Sequence, residues 1–210
     1  MTLSRMTQKL TKAKSNFSLM MTNWLIAGLG NPGPQYEQSR HNVGFWWLDQ
    51  LAKELATTLT VDNKFHGQLV QCHYAQQKLF LLKPLQFMNR SGQAIAAVAH
   101  FYKIAPSNIL VIHDELDLPA GKVKLKKGGG HGGHNGLRDI INRLGSKDFL
   151  RCRLGIDHPG HSTLVSDYVL SKPSLADRQN IQSAIDNSLH VIPDIITGDL
   201  EKAMHKLHSL

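Results

Sequence analysis

Trp24-Leu25-Ile26-Ala27-Gly28-Leu29-Gly30-Asn31-Pro32-Gly33-Pro34-Gln35-Tyr36-Glu37-Gln38-Ser39-Arg40-His41-Asn42-Val43-Gly44-Phe45 is the stretch that decides how this chain folds. Trp24 to Leu29 is an apolar run with the length and boundaries of a buried strand. Gly30, Pro32, Gly33 and Pro34 then break the chain into a tight loop, and an apolar helical pattern begins at Val43. In open α/β sheets, ligands sit just outside the carboxyl ends of strands. A loop at such an end that carries Asn31, Tyr36 and His41 is the first place to look for chemistry. The spacing Gly28-x-Gly30-x-x-Gly33 also matches a dinucleotide fingerprint. Pro32 removes a backbone donor from that turn, however, and Asp49 falls inside the next helical pattern instead of ending a strand. The nucleotide reading is therefore set aside, and no cofactor is expected. By spacing alone His41 is more readily a surface or helix-start histidine with no role.

Working outward, Val43, Trp46, Trp47, Leu51 and Leu55 recur at helical spacing, with the tryptophans assigned to the core. Lys64 to Tyr74 and Lys78 to Leu82 predict two strands around a turn at Gln76-Gln77. A helix is expected from about Ser91, with Asn89 at or just before its start, either as a cap or as an amide aimed into a site. Ile109-Leu110-Val111-Ile112 is the clearest buried strand, and it delivers His113-Asp114-Glu115-Leu116-Asp117 at its carboxyl end. Three acids so close would suit a divalent metal, but nothing nearby completes a ligand set. One carboxylate that accepts from a histidine ring is the more economical use, and no metal is expected. Lys122 to Lys127 alternates as a strand would, and Gly128 to Gly136 follows as a glycine-rich loop holding His131 and His134. It lacks the Gly-Lys-Ser/Thr ending of a phosphate-binding P-loop, and the two histidines lack a third ligand at an informative spacing. A helix from Leu137 to Leu144, a strand from Arg151 to Ile156, and amphipathic helices from Ser174 to about Thr197 and Leu200 to Leu207 complete the pattern. Strands alternating with helices predict an α/β layered fold.

Composition sets the bounds. At 210 residues the chain suits one domain, and no apolar run reaches the length of a membrane span. The net charge is +8, half of it from Arg5, Lys9, Lys12 and Lys14. The remainder gathers around Lys122, Lys124, Lys126 and Lys127, with Arg151 and Arg153 beyond, which suggests a phosphate-bearing partner or a solvated strand face. Cys72 and Cys152 are the only cysteines, so free thiols in a reducing compartment are expected. Residues 1–21 carry no acid and faintly resemble a transit peptide; the preferred reading is an upstream start with Met21 as the true beginning, and the segment is expected to be peripheral.

Gly28-Leu29-Gly30-Asn31-Pro32-Gly33, Arg40-His41-Asn42-Val43-Gly44, Phe87-Met88-Asn89-x-Ser91-Gly92, His113-Asp114-Glu115-Leu116-Asp117 and the Gly128–Gly136 loop, in that order, resemble the bacterial peptidyl-tRNA hydrolase family. The likeness runs from about Trp24 to the last helix. It implies a catalytic domain over residues 22–210, with a twisted mixed β-sheet flanked by helices on both faces. It also implies a monomeric cytoplasmic enzyme that cleaves the ester between a peptide and the 3′-terminal ribose of tRNA. By resemblance His41 is the general base, Asp114 holds its ring, Asn31 senses acylation of the substrate's amino group, and Asn89 belongs to the catalytic set. Tyr36, Phe87, Met88, Asn89, His134 and Asn135 are implied in contacts with the tRNA 3′ end or the peptide, and Lys126 and Arg153 in phosphate binding. Arg90 stands where the family often has an apolar residue. A pure RNA-binding module and a metal-dependent phosphohydrolase using Asp114, Glu115 and Asp117 are the competing functions.

Overall fold

The apolar run beginning at Trp24 is a strand. In the computed structural model, which describes residues 22–209, Asn23–Gly28 forms β1 with Leu25, Ile26 and Ala27 fully buried. The other strands are β2 (Thr60–Asp62), β3 (Gly67–Tyr74), β4 (Gln77–Pro84), β5 (Ile109–Glu115), β6 (Val123–Lys127) and β7 (Leu150–Gly155). They form one seven-stranded sheet in the order β2-β3-β4-β1-β5-β7-β6. The four central strands run parallel, while β2, β3 and β6 pair antiparallel toward the edges, so the sheet is mixed. The expected extension of residues 1–21 lies outside the described residues.

Strand alternation sorts the core into two layers. Trp24 and Ile26 of β1, with Leu110 and Ile112 of β5, face one cluster. There α1 (Val43–Glu54), α5 (Leu175–Leu189), α6 (Ile192–Ile196) and α7 (Leu200–His208) pack. Leu25 and Ala27, with Ile109 and Val111, face the other cluster, covered by α2 (Ser91–Phe101) and α3 (Asn135–Leu144). Helices on both faces follow directly from a central strand with no polar side. Burying each large side chain of α1, such as Trp47, Leu48 and Leu51, contributes about 1.5–3 kcal/mol.

Two details differ from the sequence expectation. The β3–β4 turn sits at Ala75 and Gln76, whose φ values of 46° and 62° make the doubly left-handed hairpin bend that matches strand twist. Residues Asn63–Phe65 form a 3₁₀ turn instead of the first part of a strand, because the Asp62 side chain accepts from the Lys64 N–H and caps it. The strand β2 and the short helix α4 (Val165–Leu170) were not anticipated.

Candidate active site

The carboxyl ends of β1, β4 and β5 open side by side, where the chain reverses its direction of travel across the sheet. The loop after β1 carries Asn31, Tyr36 and His41. The exit of β4 carries Phe87, Met88 and Asn89. The end of β5 carries Asp114, and the glycine-rich loop carries His134 and Asn135. Together with Lys126 and Arg153, every one of these expected residues lines a single cavity of about 810 Å³. Arg90 is exposed and does not line it.

Close approach of α1 to the sheet puts His41 where it is. A Cβ on Gly44 would stand 2.5 Å from the Leu29 N, the Leu29 O and the Ile112 O, and one on Gly28 would overlap the Gly44 carbonyl. Only glycine at both positions lets the helix start settle on the ends of β1 and β5. His41 then places Nδ1 2.8 and 2.9 Å from the two oxygens of Asp114. Since a carboxylate oxygen only accepts, Nδ1 carries the proton and the Nε2 lone pair is left for the cavity. Burial lowers the His41 pKa, but the Asp114 charge and hydrogen bond outweigh it, and the net shift is upward from 6.5. Burial would raise Asp114, yet His41 and then His134 hold its carboxyl well below the usual carboxylate range.

Asparagines brace the loop. The Asn31 N–H donates to Asn42 Oδ1 at 2.8 Å, and Asn42 Nδ2 returns a bond to the Asn31 carbonyl at 3.0 Å. Asn31 Oδ1 accepts from the Met88 N–H at 2.7 Å, which fixes the amide orientation and leaves Nδ2 as its donor end. Asn89 is exposed at the rim, in the 3₁₀ turn before α2; it makes no cap bond there, so the cap expectation fails. Tyr36 and Phe87 meet edge to face at 6.3 Å, and Phe87 remains 57% exposed, an apolar shelf beside the polar centre.

On the α2/α3 face, β6 and β7 present only cations from the cross-strand pairs Lys124–Arg153 and Lys126–Arg151. Like charges directly opposite cost stability, so this ladder is not explained by folding. Glu115 offsets it in part through a 2.7 Å ion pair with Arg153.

Several lining residues take roles that the sequence did not signal. His113 is buried, gives Nδ1–H to the Asp114 carbonyl at 2.7 Å, and has no partner for Nε2. Burial pushes its pKa down to about 3. Arg151 is buried and donates to the Gly129 and Gly130 carbonyls, holding the glycine-rich loop down. Val165, Ser166, Val169 and Leu170 of α4 form a further wall. Arg40, next to His41, ties that wall in place through Ser171 Oγ and the Lys172 carbonyl, both at 2.8 Å, and stacks on Tyr168.

The third partner that spacing did not reveal for His134 is Asp114: ligand atoms of His41, Asp114 and His134 lie within 4.8 Å of one another. A metal suits this set poorly. The Gly136 and Leu137 N–H groups donate to His134 Nδ1, so Nε2 is an N–H aimed at Asp114 and has no lone pair for an ion.

A parallel-centred α/β sheet with a buried histidine–carboxylate pair opening into a cavity at its switch point is the arrangement of an enzyme able to draw a proton from water. The family described as peptidyl-tRNA hydrolase matches residues 25–210, and the chain belongs to that family. A peptidyl-tRNA hydrolase from Coxiella burnetii is 58% identical over 185 residues, covering 88% of this chain and 97% of that protein. One from Neisseria meningitidis serogroup C is 55% identical over 88% of this chain and 96% of that protein. The crystal structure of peptidyl-tRNA hydrolase from Acinetobacter baumannii superposes with a TM-score of 0.86 at 44% identity, over 90% of this chain and 96% of that one.

Proposed function

We propose that this enzyme hydrolyses the ester joining a peptide, or another N-blocked aminoacyl group, to the 3′-terminal ribose of tRNA, releasing both and recycling tRNA from stalled translation. The observation that carries this reading is the His41–Asp114 pair set in one cavity with Lys126, Arg151 and Arg153 of the cross-strand ladder. His41 Nε2 takes a proton from water as the water oxygen attacks the ester carbonyl. Asp114 fixes the tautomer and stabilises the imidazolium, which then returns the proton to the departing ribose oxygen. Asn89, at the rim without a partner among the described residues, supplies an amide N–H to the developing oxyanion. Attack is by water directly: Cys152 is buried with its thiol pushed up to about 12 by desolvation, and Cys72 lies on β3, away from the cavity.

Asn31 Nδ2 reads the carbonyl of the blocked amino group. Tyr36, Phe87, Met88, His134 and Asn135 line the path of the peptide and the 3′ end. Lys126 and Arg153 take backbone phosphate, Arg153 by sharing itself with Glu115.

Cleavage of N-acetyl-aminoacyl-tRNA by the wild type and by His41→Ala tests the proposal. General-base help is worth about 10²–10⁴-fold, so the variant should lose at least the lower figure in kcat while remaining folded. A loss under about tenfold removes His41 as the base. Absence of cleavage by the wild type favours a pure RNA binder, and abolition by EDTA favours the metal-dependent alternative.

A further inference from the structure

We propose that His134 is a positioning residue: a neutral imidazole, locked in one tautomer by the start of α3, that grips Asp114 from the opposite layer to His41 and shares the carboxylate's charge. Its kinetic consequence rests on the reading of His41 as the base; its tautomer does not.

Backbone N–H groups can only donate. Those of Gly136 and Leu137 lie 3.1 and 3.3 Å from His134 Nδ1, which therefore holds a lone pair. The ring proton is on Nε2, 3.1 Å from Asp114 Oδ1. A second proton on Nδ1 would point at two N–H groups and would uncap the helix. Histidine is also an unusual choice for this cap, where Ser, Thr, Asp and Asn lead. Those shorter side chains cap as well or better, but none extends a second donor across the strand end. The residue is explained by its reach to Asp114.

Asp114 thus receives His41 from the α1 layer and His134 from the α3 layer, with the two rings 5.2 Å apart. A carboxylate already stabilised by one N–H attracts the His41 proton less, so a larger share of His41 is basic near neutral pH. The other charged groups around the pair are engaged elsewhere. On β5 the neutral His113 ring gives Nδ1–H to backbone, and Glu115 pairs with Arg153 of β7. Arg151 of β7 holds the glycine-rich loop, while Arg40 faces Tyr168 of α4 and Asp177 of α5.

His134→Asn separates the two jobs, because asparagine caps the helix but its amide is too short to reach Asp114. We expect this variant, which keeps the cap but loses the bond to Asp114, to unfold at a higher temperature than His134→Ala while the acid limb of its kcat/KM profile moves up by about half a pH unit or more. His134→Ala should show the same limb shift together with a lower Tm. Nitrogen-15 NMR of the wild type near neutral pH should show His134 as the Nε2–H tautomer. An Nδ1–H signal overturns the proposal, as does an unmoved limb in His134→Asn when His41→Ala is inactive. If His41→Ala stays active, the general-base reading has failed instead, and the NMR tautomer alone decides the role of His134.

Discussion

At Asn31 one hydrogen bond decides what the side chain can recognise. The Met88 N–H consumes Oδ1, so the group offered to substrate is an amide donor, suited to the carbonyl of a blocked amino group and unsuited to a free ammonium. Asn31→Asp keeps an oxygen for the Met88 N–H and replaces that donor with a carboxylate. The wild type should cleave N-acetyl-aminoacyl-tRNA much faster than the unblocked form. The variant should lose about tenfold or more on the blocked substrate and narrow or reverse the preference, since its carboxylate attracts the ammonium. An unchanged rate ratio in parallel assays would remove Asn31 from the recognition step. At this scale the sequence was informative where a residue sat in a dense motif: His41, Asp114, Asn31 and Asn89 all line the cavity. It was silent on His134 as a partner of Asp114, because they stand twenty positions apart with a return from β6 between them. Spacing carries no trace of a contact made by folding two layers onto one strand end.

Among the elements, α1 and the β6–β7 pair carry the predictions. Gly44→Ala would set a methyl 2.5 Å from three backbone atoms of β5 and of the residue after β1, none of which can turn aside. Overpacking of this kind costs about 1–3 kcal/mol, and the helix start that carries His41 must lift. Urea midpoints and kcat should fall together; a normal kcat with normal stability would mean that the close approach is not needed. On β6, Lys126 faces Arg151 across the ladder. Lys126→Ala should weaken tRNA binding and reduce the slope of log affinity against log salt by about one, the effect of one lost phosphate contact. An equal slope in both proteins would leave the ladder without a phosphate role. The buried strands β1 and β5 were legible as apolar runs, and β6 as an alternation. The helix α4 was not, because six residues in a polar stretch make too few turns for a period, and only Val169 among them is buried. Its place comes from Arg40, a tertiary contact.

Across the whole molecule, the site imposes a pH cost on the fold. Among the described residues, His113 is the histidine whose pKa burial pushes down to about 3. Unfolded, it takes a proton near 6.5; folded, it does so only near 3. A basic group depressed in this way contributes stability above 6.5 that is lost as pH falls through the interval, at about 1.4 kcal/mol per unit. His41 works in the opposite sense. Its raised pKa gives stability that is full below 6.5 and is lost as pH rises through the folded value, so between 6.5 and 4 its contribution is flat. Asp114, held below 3.8, begins to release its share only below that pH. His208, whose pKa burial also lowers from 6.5, shares this window, so the part of the slope that belongs to His113 is the difference between the wild type and a His113 variant. Urea unfolding of the wild type and His113→Gln at several pH values across that window should give a flatter stability curve for the variant, even if its absolute stability is lower. The expected difference in slope is on the order of 1 kcal/mol per pH unit. Parallel curves would mean that the folded protein admits a proton at His113 after all, and that the unpartnered Nε2 is reached by water.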